Sequence, residues 1–163
     1  MFSWTCCAPF ATLGWESQET AGALPKVYVR DSSLVHTLLG IRGQEELLGH
    51  PVVGPSWEGF VIENVLSQAA PHTTAWFYRS SAGAEIDLLL EFATGHRHAV
   101  EIKRSVSDPR PSKGFRLACD DLKMRGRCVI YPGRERYQLD PRTEAVPFTE
   151  VARPDFRWPP GSP

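Results

Sequence analysis

The sequence predicts an α/β fold of the α+β kind, with helices packed on a mixed sheet. Three strand-like stretches, "TAWFYR", "EIDLLLEF" and "RHAVEIKRS", are separated only by the short turns "SSAG" and "ATGH". Strands joined by tight turns form an antiparallel meander. A helical stretch then separates the third strand from the apolar run "RCVIYPG", and a helical crossover places the fourth strand parallel to the third.

Further helices and strands complete the expected fold. Their signals are capping residues ahead of apolar positions at helical spacing, and short β-branched or aromatic runs. The expected elements are a strand at residues 27–29, a helix capped by Asp31 or Ser32 and ended by Gly40, a helical turn at Glu45–Leu48, a helix with Ser56 as its N-cap, a helix at residues 114–125 and a short return strand near Val146–Phe148.

Length and charge limit the class of protein. The chain has 163 residues, enough for one domain with tails, and a net charge of -1, so nucleic-acid binding would need a local basic patch. No apolar run approaches the ~20 residues of a membrane span, and no secretory signal is visible. We expect a cytoplasmic protein with an atypical, poorly ordered segment at residues 1–25, a domain at residues 26–150 and a proline-rich tail at residues 151–163.

Two acids and a lysine interrupt the most apolar strands. Asp87 lies on the second strand of the meander, and Glu101 and Lys103 share one face of the third strand because they are two residues apart. The hairpin can bring Asp87 alongside them. Carboxylate oxygens suit Mg²⁺ or Mn²⁺, and a neighbouring lysine can act on the attacking water or on developing phosphate charge. Glu58 or Glu63 on the preceding helix could complete such a site.

This pattern resembles the PD-(D/E)XK nuclease fold, a restriction-endonuclease-like sheet. More closely, "KVYVRDSSLVHTLLG", "SWEGFVIENVL", "WFYRSSAGAEIDLLLE" and "VEIKRS" resemble the module called domain of unknown function 4143, over residues 26–150. That module usually sits at the C-terminal end of bacterial and archaeal AAA-type ATPases. The resemblance implies that Asp87, Glu101 and Glu58 are metal ligands, that Lys103 is catalytic, and that Arg79 matches an arginine common in the family.

The implied partners are DNA or RNA and an ATPase domain that is encoded separately or lost. The chain has no phosphate-binding loop of the form GxxxxGK[ST], so we expect no ATP site and regard the chain as a fragment, a truncated gene product or a stand-alone remnant. Arg79, Lys113 and Arg116 could contact nucleic acid, although a solvated helix face is the more common case for Lys113 and Arg116. His96 and His98 flank a turn at a spacing usable by a metal, but exposed turn histidines are more common.

Alternatives remain for the acid and lysine residues. Glu85 has the same alternation parity as Asp87 and could take the metal role. The trio could also be a buried ion-pair network that only holds the hairpin together. Three functions are therefore open: a metal-dependent nuclease-like domain, a non-catalytic binding module that retains a nuclease-like fold, and a fragment without independent function.

Overall fold

A six-stranded mixed sheet lies at the centre of the computed structural model, which describes residues 7–9 and 27–158. In chain order the elements are β1 (Cys7–Pro9), β2 (Val27–Val29), α1 (Ser32–Leu38), α2 (Gln44–Gly49), α3 (Val53–Ser67), β3 (Thr74–Arg79), β4 (Glu85–Glu91), β5 (Arg97–Ile102), α4 (Lys113–Asp121), β6 (Gly126–Tyr131), β7 (Tyr137–Asp140), β8 (Thr143–Pro147) and α5 (Phe148–Val151). The large sheet has the spatial order β3-β4-β5-β6-β8-β7, and β1 pairs with β2 separately.

The strand directions confirm the predicted mixed sheet. β3, β4 and β5 form the antiparallel meander, and β6 lies parallel to β5 after the α4 crossover. The return strand is also present, as β8, which lies parallel to β6. Strand β7, at the far edge, was not predicted from the sequence. Half of this edge strand is exposed, so its sequence "YQLD" lacks the apolar run that would have predicted a strand.

Two apolar layers cover the sheet, one on each face. Helix α3 packs on one face through Val61, Ile62 and Val65, together with the alternate strand residues Leu88 and Val100. On the other face, helix α4 packs through Phe115, Ala118 and Cys119, together with Leu89 and Ala99. Strands covered on both sides read as continuous apolar runs, which is why "LLL" stands in β4.

Two helix boundaries differ from those expected. Helix α3 begins at Val53, so Ser56 is not its N-cap; Pro55 fits in the first turn, where backbone N–H groups need no helical partner. The Ser56 hydroxyl instead contacts His36 Nε2 at 2.7 Å. Helix α4 ends at Asp121 rather than at residue 125, because Lys123 adopts a left-handed conformation with φ of 52° that stops the helix.

Segments near both ends of the chain contact the rest of the domain. Strand β1 pairs with β2, while the rest of the expected atypical segment at residues 1–25 lies outside the described residues. In the expected tail, Phe156 is buried in the cluster under α3, and Trp158 packs against it. None of the helices in the described ranges is long and apolar enough to cross a membrane.

His98 is a buried histidine rather than an exposed turn residue. It is 5% exposed, its ring meets Trp158 edge-on at 5.7 Å, and its Nε2 has no hydrogen-bond partner among the described residues. His96, in contrast, is exposed in the turn. Burial disfavours the charged imidazolium and lowers the pKa of His98 to about 4.

The stability of the fold should therefore fall in acid because of His98. The unfolded chain takes up a proton near pH 6.5, and the folded chain only near pH 4. The stability is fully present above pH 6.5, and we expect a loss of about 3 kcal/mol between these values. Urea unfolding at several pH values should show a shallower acid slope for His98→Leu than for the wild type. Identical slopes would contradict this assignment.

Candidate functional site

The β4–β5 hairpin changes its mode of pairing at Asp87. Backbone pairing runs from Glu91 opposite Arg97 as far as Leu88 opposite Val100. Beyond that point, Asp87 Oδ2 accepts the Ile102 N–H at 2.9 Å. The carboxylate therefore contacts the backbone between Glu101 and Lys103, and the structure brings the three motif residues to one end of the hairpin.

A bulge in β4 determines how Asp87 is presented. Trp76 pairs with Leu89, whereas Tyr78 pairs with Ile86, so β4 carries one more residue than β3 over this stretch. As a result, Ile86 packs under α4 and Leu88 packs under α3, although both have even numbers. The extra residue falls at Asp87 and Leu88. Because a bulge interrupts alternation, shared sequence parity does not by itself place Glu85 and Asp87 on one face, and a metal role for Glu85 stays a prediction.

Glu101 and Lys103 form a partly buried ion pair. Lys103 Nζ lies 2.7 Å from Glu101 Oε1, and the Ser112 N–H donates to Glu101 Oε2 at 2.9 Å. Glu101 is only 6% exposed. Because Ser112 is the N-cap of α4, and Ala99 on the same strand parity packs under α4, this pair belongs to the α4 face of the sheet.

Glu58 lies on the other face, because it is carried by α3. It accepts a hydrogen bond from the Tyr28 hydroxyl of β2. Burial, together with the Glu58 hydrogen bond and the charges of Glu58, Asp87 and Glu85, raises the pKa of Tyr28 far above its ordinary value. Arg79 pairs with Glu85 at 2.7 Å, and this bond raises the pKa of Arg79 despite partial burial. The charges of Glu58, Glu85 and Asp87 therefore all act on the Tyr28 hydroxyl, which Glu58 contacts directly.

The donor set does not fit a Mg²⁺ or Mn²⁺ site as these side chains stand. Glu101 and Glu58 lie on opposite faces, and both oxygens of Glu101 are bonded to Lys103 and to the Ser112 N–H. Within residues 7–9 and 27–158, no group of three or more His, Cys, Asp or Glu side chains is placed to hold a metal ion. Small hard cations need several converging oxygens.

The remaining candidate residues are dispersed. Lys113 and Arg116 are exposed on α4, and their predicted contact with nucleic acid stays a prediction. Sequence reasoning missed Tyr28, which donates to Glu58, and Ser112, whose backbone N–H donates to Glu101. Ser112 carried a usable signal, because a serine just before a helix is a typical N-cap residue. In the structure its hydroxyl accepts the Phe115 N–H at 3.0 Å in that role. No sequence signal paired Tyr28 with Glu58, thirty residues away.

Comparison with known proteins agrees with the motif pattern. A family model described as domain of unknown function 4143 matches residues 53–151, which include α3, the whole large sheet and α4. The chain belongs to this family. Members of domain of unknown function 4143 thus share with it the region that carries Glu58, Asp87 and the Glu101–Lys103 pair.

Similar proteins occur in mycobacteria. Uncharacterised proteins of Mycobacterium bovis and Mycobacterium tuberculosis are each 37% identical to this chain over 142 residues. The match covers 87% of this chain but only 31% of either relative, so the chain spans about a third of their length. No solved structure matches.

Removing Lys103 should destabilise the fold. Lys103→Ala would leave the buried Glu101 carboxylate with only its Ser112 N–H bond, and loss of one partner of a buried pair costs about 3 kcal/mol. Arg110→Ala is the matched control, because the Arg110–Asp108 pair is well exposed and should contribute less than about 1 kcal/mol. Chemical unfolding of both variants measures the difference. Equal, small losses would show that the Glu101–Lys103 pair is not structural.

Proposed function

We propose that this chain is a partner-binding module built on a nuclease-like sheet. Its partner would be an apolar segment of the longer polypeptide in which relatives carry this domain. The observation that carries the proposal is an apolar groove between α1, α2 and α3, with a volume of about 800 Å³. Its apolar wall consists of Leu47, Leu48, Val53, Trp57 and Phe60.

Exposed apolar side chains are concentrated around this groove. Of the eight large apolar residues exposed in the described ranges, five lie on or next to α1, α2 and α3: Leu34, Leu38, Leu39, Leu48 and Phe60. Leu48 is 54% exposed and Phe60 is 41% exposed. Single exposed apolar residues are ordinary, but Leu48 and Phe60 line one groove together, and apolar residues grouped in this way mark an interaction surface. This surface lies on the side of α3 that faces away from the sheet.

The groove has the chemistry of a docking site for an apolar segment. The Trp57 indole is fixed by its Nε1–H bond to the Lys103 carbonyl at 3.0 Å. Its ring lies tilted against Phe60 and edge-on to Phe148. At the rim, Arg30 and Glu63 neutralise one another at 3.3 Å. Rigid aromatic side chains with a neutral rim favour an apolar partner, such as one face of an amphipathic helix.

The length of the relatives supports the occupant that we propose. Their chains continue well beyond the 31% that this chain matches, so the domain has more polypeptide beside it in them. The resemblance to AAA-associated modules implies that this polypeptide is ATP-binding. Cys119 and Cys128 are free thiols, which suits the reducing cytoplasm.

Docking is tested by coproducing this chain with the portion of the Mycobacterium tuberculosis relative outside the matched region. We expect a one-to-one complex, and the variants Leu48→Asp and Phe60→Asp should each weaken it by about tenfold or more, because each places a charge in a desolvated contact. Leu117→Asp is the matched control, since Leu117 is 44% exposed on α4, across the sheet. Light scattering and calorimetry measure the complex. Equal binding by all three variants would exclude the groove.

Metal-dependent hydrolysis of a phosphodiester in DNA or RNA is the second candidate function. The observation in its favour is the contact of Asp87 with the backbone between Glu101 and Lys103. Those residues match the motif acids and lysine of PD-(D/E)XK nucleases. For hydrolysis, the Glu101 carboxylate would have to release Lys103 or Ser112 before it could bind a cation.

Thermal melting with and without Mg²⁺ or Mn²⁺ distinguishes the two candidates. For the binding module we expect no metal-dependent change in Tm, because ligands raise Tm only when they bind the folded state. Asp87→Asn should then lower Tm, since an amide is a weaker acceptor than a carboxylate for the Ile102 N–H. A metal-dependent rise in the wild type that Asp87→Asn abolishes would instead show metal binding at Asp87, which the hydrolytic function requires and the binding module does not.

A further inference from the structure

A second cavity is lined by arginine side chains. It lies near β7 and β8, at the opposite end of the sheet from β3. Its volume is about 560 Å³, and four arginines line it: Arg134, Arg136, Arg153 and Arg157. The first two lie between β6 and β7, and the other two follow α5. Glu150 and Asp155 are the acidic residues that line the same cavity. The lining therefore carries more positive than negative charge.

Two of these arginines are held in place by carboxylates. Arg136 Nη2 donates to Glu144 at 2.6 Å, and Arg136 Nη1 donates to Glu150 at 2.9 Å. Arg153 makes a two-point contact with Asp155 at 3.2 and 3.1 Å. A guanidinium has five N–H donors, so each keeps donors for another acceptor. Arg136 and Arg153 are therefore positioned but locally neutralised.

The other two arginines keep an uncompensated charge. Arg157 Nη1 donates only to main-chain carbonyls, those of Pro154 and Phe156, at 3.2 and 3.0 Å. Arg134 has no hydrogen bond or ion pair to any described residue. Both side chains are exposed at the cavity. A planar guanidinium group can donate two parallel hydrogen bonds to two oxygens of one phosphate, a geometry that the lysine ammonium cannot reproduce.

We propose that this cavity binds the phosphate group of a nucleotide-sized ligand. Two uncompensated guanidinium groups match one phosphate dianion in charge, and a volume of about 560 Å³ falls within the range of small-molecule sites. The phosphate could belong to a free nucleotide or to a nucleic-acid strand, since both present the same oxygens. The site is independent of the α1–α3 groove, because the two cavities share no lining residue.

The test is titration of the full chain with inorganic phosphate, a nucleoside monophosphate and a single-stranded oligonucleotide. We expect saturable binding of the monophosphate, weakened about tenfold or more by Arg134→Ala and by Arg157→Ala, because a hydrogen bond between charged groups is lost. Arg42→Ala removes an equal charge from an exposed residue that does not line the cavity and should bind like the wild type. Unchanged Tm values would show that the variants are folded.

The outcomes separate the sources of phosphate. Preference for the oligonucleotide, with a Kd that rises steeply with salt, identifies a nucleic-acid strand, and preference for the monophosphate identifies a free nucleotide. Arg134→Lys should recover part of the affinity, since it restores charge but not the two-point contact. Absence of saturable binding, or equal loss in Arg42→Ala and Arg134→Ala, would overturn the proposal. Loss of partner docking in groove variants would leave phosphate binding unchanged.

Discussion

The buried Glu101 carboxylate is the interaction around which this domain is arranged. A charge this deep must be matched by donors, and the two that it has come from different elements: Lys103 at the end of β5 and the backbone N–H of Ser112 at the start of α4. The same residue, Lys103, receives the Trp57 indole on its carbonyl, so α3 is tied to the same point. Glu101 and its partner Lys103 therefore link the sheet to the helices on both of its faces.

The bulge in β4 is the local feature that sets the position of Asp87. The extra residue changes which face the following side chains occupy, and it leaves Asp87 at the level of the sheet, bonded to the Ile102 N–H. Glu58, on α3, and the Glu101 carboxylate, on the α4 face of β5, lie on opposite sides of the sheet because different elements carry them. What the strands bring together here is a network of hydrogen bonds among the acids, Lys103 and the backbone. The surfaces that we propose for binding lie elsewhere, on α3 and around the segments that flank β7 and α5.

Much of the fold followed from local patterns, whereas the site depended on features that local patterns do not encode. Apolar runs and short turns predicted the meander, and the helix after it predicted the parallel neighbour, because those rules act over a few residues. Spacing also placed Lys103 beside Glu101 correctly. It gave no sign of the β4 bulge, which arises from pairing with β3, or of Tyr28, whose bond to Glu58 closes a long loop in the chain. The edge strand β7 was missed because its exposed residues have no apolar signal.

Phe156 shows that the unit of family resemblance and the unit of folding have different ends. The family match stops at residue 151, yet Phe156, five residues later, fills the core beneath α3 in contact with the same cluster as Val61 and Val146. A polypeptide trimmed to the matched boundary would lose that side chain and leave a void against the helix that bears Trp57 and Phe60. The helix that lines the groove is thus supported from the core side by a residue beyond the end of the family match.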